Sequence, residues 1–337
     1  MCRSAYCMDE RRQSVECKRG AQTVVLLQTH CLNRALLRMF SELSCAMPET
    51  PTKVLMHLPP NRSKPRELAR LPHHFVTTPE IREPTYVRKS NGPGWAIWRG
   101  GHVDLIALHF FRTHPVYAYY WFIEYDVRFS GEWRTFLTAF QDSDADLLST
   151  SIRRASDDPN WMHWPSLHPP DGALPLAGDE MLCSFMPIYR ISQRGLRSID
   201  QAYRNGWTGH CEAVWPTVLH RSGYRLEDIG GDGEFVRPWN LNRFYTNNPS
   251  DPELAPGSLV FRPVRWMTGS SRNRLWHPVK PLSHKLREDA RHIWVSVKPY
   301  LPWVRPVVNL PSLNPPPCEE EATRDLSQQP LSPGAAT

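Results

Sequence analysis

Glu124 and Asp126 stand two residues apart in the run Tyr119-Tyr120-Trp121-Phe122-Ile123-Glu124-Tyr125-Asp126-Val127-Arg128-Phe129. On an extended strand, residues two apart share a face. Glu124, Asp126 and Arg128 are therefore expected to point one way, and Ile123, Tyr125 and Val127 the other. A carboxylate pair at the carboxyl end of a strand can hold a hard divalent cation, which can in turn hold a diphosphate. The same residues also fit an edge strand on which Glu124 or Asp126 simply pairs with Arg128 or another base. Glu212 is expected near the amino end of a helix, where the partial positive charge favours an ionised carboxylate. Such a group can act as a general base, and it can equally be only a favourable helix-start residue. Asp144 and Asp146 precede the apolar run Leu147-Leu148, the wrong edge for a ligand crevice, and rank below Asp126. His277, beside Pro278 in the basic segment Arg272 to Lys280, reads by itself as a surface or hydrogen-bonded histidine.

The elements around these residues follow from apolar patterning. Thr23 to Thr29 is rich in β-branched and apolar residues and predicts a first strand. Asn33 can cap a helix over Ala35 to Leu43, and Lys53 to Leu58 predicts a second strand, stopped by Pro59-Pro60. A strand, helix, strand order at this spacing opens an α/β domain. The aromatic run from Tyr119 is continuous enough for a strand covered on both faces, as in a parallel sheet. In such sheets ligands lie outside the carboxyl ends of the strands. Asp104 to Arg112 predicts a buried helix before it, and Gly131 to Phe140 one after it. Further strands are expected at His74 to Thr77, Asp144 to Thr150, Leu182 to Ser192 and Tyr224 to Asp228. Ser192 caps a helix through Ala202, and Pro216 is expected near the start of a helix over Ala213 to His220. The intervening stretch Arg153 to Asp179, with Trp161 and Trp164, predicts a long loop suited to a lid or acceptor site.

With 337 residues, of which 40% are apolar, the chain can bury a sizeable core. Its net charge of +6 suits an anionic small ligand or an acidic membrane surface, and no nucleic-acid-binding motif accompanies it. None of the eight cysteines forms a CxxC pair or a zinc spacing. Scattered thiols without a secretory signal predict a cytoplasmic protein. No apolar run reaches the roughly eighteen residues of a membrane span. The boundaries expected are a flexible arm over 1–22, a catalytic domain over 23–281, a basic and aromatic segment over 282–310, and a disordered, proline-rich tail over 311–337. The third of these could lie peripherally on the inner face of a membrane or pack back on the domain.

Taken in order, the opening βαβ unit, the acid-x-acid strand, the Tyr189-Arg190-Ile191-Ser192 strand, the run Gly209-His210-Cys211-Glu212 and the late His277-Pro278-Val279-Lys280 resemble a GT-A-type nucleotide-sugar glycosyltransferase. The resemblance covers roughly Thr23 to Lys280. The runs Trp121 to Phe129, Gly209 to Thr217 and Asp228 to Gly231 are similar to those of uncharacterised glycosyltransferase-like proteins. It implies a single GT-A-like, Rossmann-like α/β domain with a central, mostly parallel sheet flanked by helices, and an irregular C-terminal segment. It further implies that Glu124 and Asp126 match the family's Asp-x-Asp motif for Mn²⁺ or Mg²⁺, the first position departing from the commoner Asp. His277 matches the late histidine that completes the metal shell, which leans toward Mn²⁺. Arg128, Arg274 and Lys280 are the candidates to hold the donor diphosphate. Glu212 matches the late carboxylate base, and His210 is the second choice. Trp161, Trp164 and Trp207 are candidates to stack on a sugar.

The activity so implied is metal-dependent transfer of a sugar from a nucleoside-diphosphate donor to a saccharide or lipid-linked acceptor. A reading from another class keeps the same fold as a non-catalytic carbohydrate-binding or interaction module. A hydrolase using the same carboxylates has less support, for it would lack a diphosphate anchor.

Overall fold

The computed structural model describes residues 23–59, 63–82, 86–90, 97, 101–247 and 257–297, with side chains as far as 290. The expected N-terminal arm, most of the turn from Trp95 to Gly101, and everything after 297 lie outside the described residues.

Strands β1 (Thr23–Thr29), β2 (Thr52–Leu58) and β3 (His73–Thr77) run parallel, with helix α1 (Arg34–Ala46) between the first two. Asn33 caps α1 as expected, its side chain accepting from the Leu36 N–H. Helix α2 (Asp104–Thr113) leads into β4 (Tyr119–Glu124), which joins the other side of β1 in parallel. After the two-residue β5 (Arg128–Phe129) and helix α3 (Trp133–Thr138) come β6 (Leu147–Arg154) and β7 (Leu182–Ser192). Helices α4 (Gln193–Arg204) and α5 (Cys211–Arg221), then β8 (Leu226–Asp228) and β9 (Leu275–Trp276), complete this unit. The central sheet has seven strands in the order β3-β2-β1-β4-β7-β6-β8. Only β7 runs against the others, so the fold is the expected α/β class with a mostly parallel sheet.

Strand periodicity divides the core into two layers. Val24, Leu26, Tyr120 and Phe122 face one layer, which holds Ile106, Leu196 and Trp215 from α2, α4 and α5. Val25, Leu27, Trp121 and Ile123 face the other, with Leu36 and Met39 of α1 and Phe136 of α3. Both faces of β1 and β4 are thus covered, which is why their sequences read as continuous apolar runs.

Two expectations need correction. The run Tyr119 to Phe129 is two strands rather than one. The Tyr125 N–H makes a last rung with the Gln28 carbonyl at 3.0 Å, and the Val127 N–H turns back to the Glu124 carbonyl at 3.1 Å. That tight turn takes β5 out of the main sheet to pair with β9, and Arg128 leaves the face shared by Glu124 and Asp126. Pro216 stands well inside α5 instead of near its start. The helix is already capped by His210, so the proline removes only the bond that the Glu212 carbonyl would have accepted.

A second unit begins at Ser283. It contains most of the helix α6 (Leu282–Val297), whose Lys285 and Asp289 pair one turn apart. Among the described residues no helix is long and apolar enough to cross a membrane.

Asp146, ranked low as a ligand, is a fastening for the sheet. Its buried carboxylate accepts from Ser192 Oγ at 2.7 Å, Arg194 Nε and Nη2 at 2.6 Å each, and the Arg225 N–H at 3.1 Å. Asp146→Ala leaves the buried Ser192 hydroxyl and the Arg225 amide without this acceptor, so urea unfolding is expected to show a loss of about 2–3 kcal/mol.

Candidate functional site

The carboxyl ends of β1, β4, β6 and β8 lie along one edge of the sheet, the edge where α/β proteins bind ligands. Glu124 is the last residue of β4, and Asp126 sits in the turn that follows. The β5–β9 ladder sets Phe129 opposite Leu275 and Arg128 opposite Trp276, and so delivers the next residues of the late segment to that turn. The Val279 N–H then bonds the Asp126 carbonyl at 2.8 Å. His277 is held by its own backbone, its N–H to the Ser258 carbonyl at 3.0 Å and its carbonyl from the Val260 N–H at 3.2 Å.

Its ring is oriented as well. Nδ1 lies 2.9 Å from the Val260 carbonyl, which can only accept, so the proton is on Nδ1. That leaves Nε2 facing the acids, 3.5 Å from Asp126 Oδ1 and 3.6 Å from Glu124 Oε2. A backbone carbonyl behind a histidine is the usual support of a metal-binding imidazole. Lys280 Nζ lies 3.5 Å from the other Asp126 oxygen.

These residues fit a divalent cation. One ligand atom from each of Glu124, Asp126 and His277 lies within 4.8 Å of the others. Asp126 is 4% exposed, and its Oδ1 is buried without a hydrogen-bond partner. The 3.5 Å to His277 is too long for a hydrogen bond. An orphaned carboxylate oxygen, a second carboxylate and an imidazole nitrogen make a mixed O,O,N donor set that Mn²⁺ accepts. Without a cation the charges compensate one another. Burial works against a charged His277, but Asp126 and then Glu124 outweigh it and push its pKa up to about 10. Burial likewise opposes the Asp126 carboxylate, and His277 and Lys280 nevertheless hold its pKa below the ordinary value.

Glu212, in the first turn of α5, reaches the strand beside β4. Its Oε1 accepts the Met186 N–H of β7 at 3.0 Å, and its Oε2 lies 3.7 Å from His210 Nδ1. Burial pushes its pKa up to about 7, with the Met186 bond opposing and the charge of Glu124 adding to the rise. His210 caps α5 by accepting the Glu212 N–H on Nδ1 at 3.3 Å, so this nitrogen carries no proton. Burial, then His163 and Lys89, lowers its pKa to about 3. The His163 ring stacks on it at 3.9 Å, and His163, His210 and Glu212 form a second group of close ligand-type atoms.

The sequence reading had no role for Lys89 or His163. Lys89 is fully buried and donates to the carbonyls of Gly101 and Gly209, at 3.0 and 2.6 Å, just before the His210 cap. A lysine in a short helical turn carries no sequence signal for burial. His163 lay in the loop expected to carry an acceptor site, but the loop gave no register.

The structure brings Glu124, Asp126, His277 and Lys280 together, with Glu212 and His210 alongside. Of the other candidates, Trp161 meets the His163 and His210 rings edge-on, at 5.0 and 6.4 Å between centroids, and the two arginines point elsewhere. Arg274 donates to the Asn242 carbonyl, and Arg128 Nη1 donates to the carbonyls of Tyr125 and Val127 at 2.7 Å each. Trp161, Trp164 and Trp207 are half-buried and pack on the core layer that contains α5.

No protein-family model matches the chain, and no curated protein does. Among solved structures it is similar to a mycobacterial protein at 13% identity, over 70% of this chain and 74% of that one, with a TM-score of 0.36. It is similar to glucosyl-3-phosphoglycerate synthase from Mycobacterium tuberculosis, solved with Mn²⁺, uridine diphosphate and phosphoglyceric acid, at 12% identity over 66% and 74%, TM-score 0.35. A third is the inositol-1-phosphate CTP transferase from T. maritima, at 10% identity over 66% and 93%, TM-score 0.31. Likenesses this low carry no functional argument.

The raised pKa of Glu212 has a sign that can be measured. Its folded-state value of about 7 exceeds the ordinary 4.5, so its contribution to stability is full below pH 4.5 and is lost as pH rises to 7. Glu212→Gln keeps an oxygen for the Met186 N–H and removes the titration. Relative to wild type, the variant is expected to gain on the order of 2–3 kcal/mol between pH 4 and pH 8 in denaturant titrations.

Proposed function

We propose that this protein is a divalent-metal-dependent glycosyltransferase, moving a sugar from a nucleoside-diphosphate donor to a hydroxyl of a saccharide or lipid-linked acceptor. The observation that carries the reading is the convergence of Glu124, Asp126 and an oriented His277 at the carboxyl edge of the sheet, with Asp126 Oδ1 left unpartnered. The resemblance of the acid-x-acid run and the late histidine to those of GT-A enzymes supplies the reaction class.

In this reading Glu124, Asp126 and His277 hold the cation. Bound there, it would supply positive charge to the donor diphosphate as it leaves. Lys280 adds a fixed ammonium beside Asp126 and favours the same charge. Glu212 accepts the proton of the attacking acceptor hydroxyl. A carboxylate with a pKa near 7 is a better base at neutral pH than an ordinary one, and such assistance is commonly worth about 10²–10⁴-fold in rate. His210, neutral and with its Nδ1 lone pair accepting the Glu212 N–H, positions the base and takes no part in the proton transfer. His163 shields this pair on the side of the long loop.

A second reading, a non-catalytic carbohydrate-binding module, draws on one observation. His277 and Lys280 can neutralise Asp126 internally, so the acids are compensated without an ion.

Calorimetry with Mn²⁺ and uridine diphosphate separates the two. The transferase reading expects saturable, metal-dependent nucleotide binding that Asp126→Ala and His277→Ala abolish, and donor turnover that Glu212→Gln lowers by at least 10²-fold without weakening metal binding. A folded protein that binds neither Mn²⁺ nor any nucleoside diphosphate sinks it in favour of the module.

Metal binding must also displace the His277 proton. Apparent Mn²⁺ affinity is therefore expected to rise about tenfold per pH unit from pH 7 to pH 9, with close to one proton released per ion in buffers of different ionisation enthalpy.

A further inference from the structure

Arg128 takes no part in the site just described, yet its guanidinium is held in place. Nη1 is anchored on the Tyr125 and Val127 carbonyls and lies 3.2 Å from Met39 Sδ. Among the described residues, Nη2 and Nε have no hydrogen-bond partner. The group opens into a groove of about 420 Å³ between α1 and β5, lined also by Arg34, Arg38, Met39, Glu42 and Phe129. Arg34, Arg38 and Glu42 follow one another at four-residue intervals, which puts them on one stripe of α1.

Three guanidinium groups thus share a concave surface with one carboxylate. Among the described residues neither Arg34 nor Arg38 forms an ion pair, although Glu42 lies one turn from Arg38. Three guanidinium groups against one carboxylate leave the groove with an excess of positive charge, which favours an anion. Guanidinium forks with unused N–H groups match the oxygens of a phosphoryl group in geometry as well as in charge.

We propose that the α1–β5 groove is a phosphoryl-oxyanion site, separate from the Glu124–Asp126–His277 cluster and independent of divalent metal. Arg128 forms its fixed floor, and Arg34 and Arg38 close over the anion from α1. Glu42 sets an upper limit on affinity by repelling it. The phosphoryl group can belong to a soluble phosphorylated ligand or to an anionic lipid headgroup. The inference goes beyond the transferase reading, because neither the cation nor the nucleotide takes part in it.

The test uses the full chain with EDTA present, at constant ionic strength, so that no metal-dependent site contributes. Inorganic pyrophosphate is titrated calorimetrically, and flotation compares vesicles of phosphatidylcholine with and without phosphatidic acid. Wild type is expected to bind at least one of the two phosphoryl probes saturably. Arg34→Ala with Arg38→Ala, both exposed positions that leave the core intact, should weaken that binding at least tenfold. Glu42→Gln should strengthen it, a gain that a merely structural role would not produce. Pyrophosphate binding alone assigns a soluble ligand. Binding of phosphatidic acid vesicles with the same response to the variants assigns a lipid headgroup. No saturable binding of either probe, or binding unchanged in the double variant, overturns the proposal.

Discussion

The arrangement of the site depends on a single buried residue, Asp126. Its backbone carbonyl accepts the Val279 N–H and its carboxylate lies between His277 and Lys280, so one residue ties the end of β4 to a segment about 150 positions later in the chain. A carboxylate at 4% exposure costs several kcal/mol in lost hydration unless opposite charge answers it. Here the answer is incomplete: the cations stand 3.5 Å away, and one oxygen has no hydrogen-bond partner. A pair tuned for stability alone would close those distances, so the geometry leaves room for a further ligand between the groups.

The second constraint is the placement of Glu212 against β7. An amide of the antiparallel strand fixes one carboxylate oxygen, and the His210 cap fixes the backbone that carries it. Lys89 secures the turn before that cap from inside the protein. The elevated pKa of Glu212 comes first from burial and is increased by Glu124, so the two acidic centres influence each other through a low-dielectric interior. A metal bound by Glu124 would weaken this repulsion and lower the Glu212 pKa, which links occupancy on one side of the crevice to basicity on the other.

The turn at Tyr125 and Asp126 also has a consequence outside the crevice. By leaving the main sheet, β5 separates Arg128 from the acids and places it beside α1. One short run of residues therefore serves two surfaces of opposite charge, the acidic crevice and the arginine-lined groove. Carboxylate and guanidinium do not collapse into a local ion pair because Arg128 Nη1 is tied to the carbonyls of Tyr125 and Val127, which holds the group on the α1 side.

Local pattern carried much of the fold in the sequence. The β-branched and apolar runs of β1, β2 and β7, the Asn33 and Ser192 caps, and the run of strands and helices are short-range properties that each segment states for itself. The acid-x-acid pair was legible for the same reason. What the sequence left open were the quantities set by contacts distant in the chain. It could not show that the aromatic run breaks after Glu124, because the break depends on where the β1 and β7 ladders end and on β9 as a competing partner. Nor could residue types reveal that His277 presents Nε2 rather than Nδ1, which follows from the Val260 carbonyl behind it. The fates of Arg128, Arg274 and Lys280 divide on the same ground. All three are basic candidates for the donor diphosphate in the sequence, but a guanidinium or ammonium goes to whichever oxygens the tertiary structure puts within reach, and only Lys280 meets Asp126.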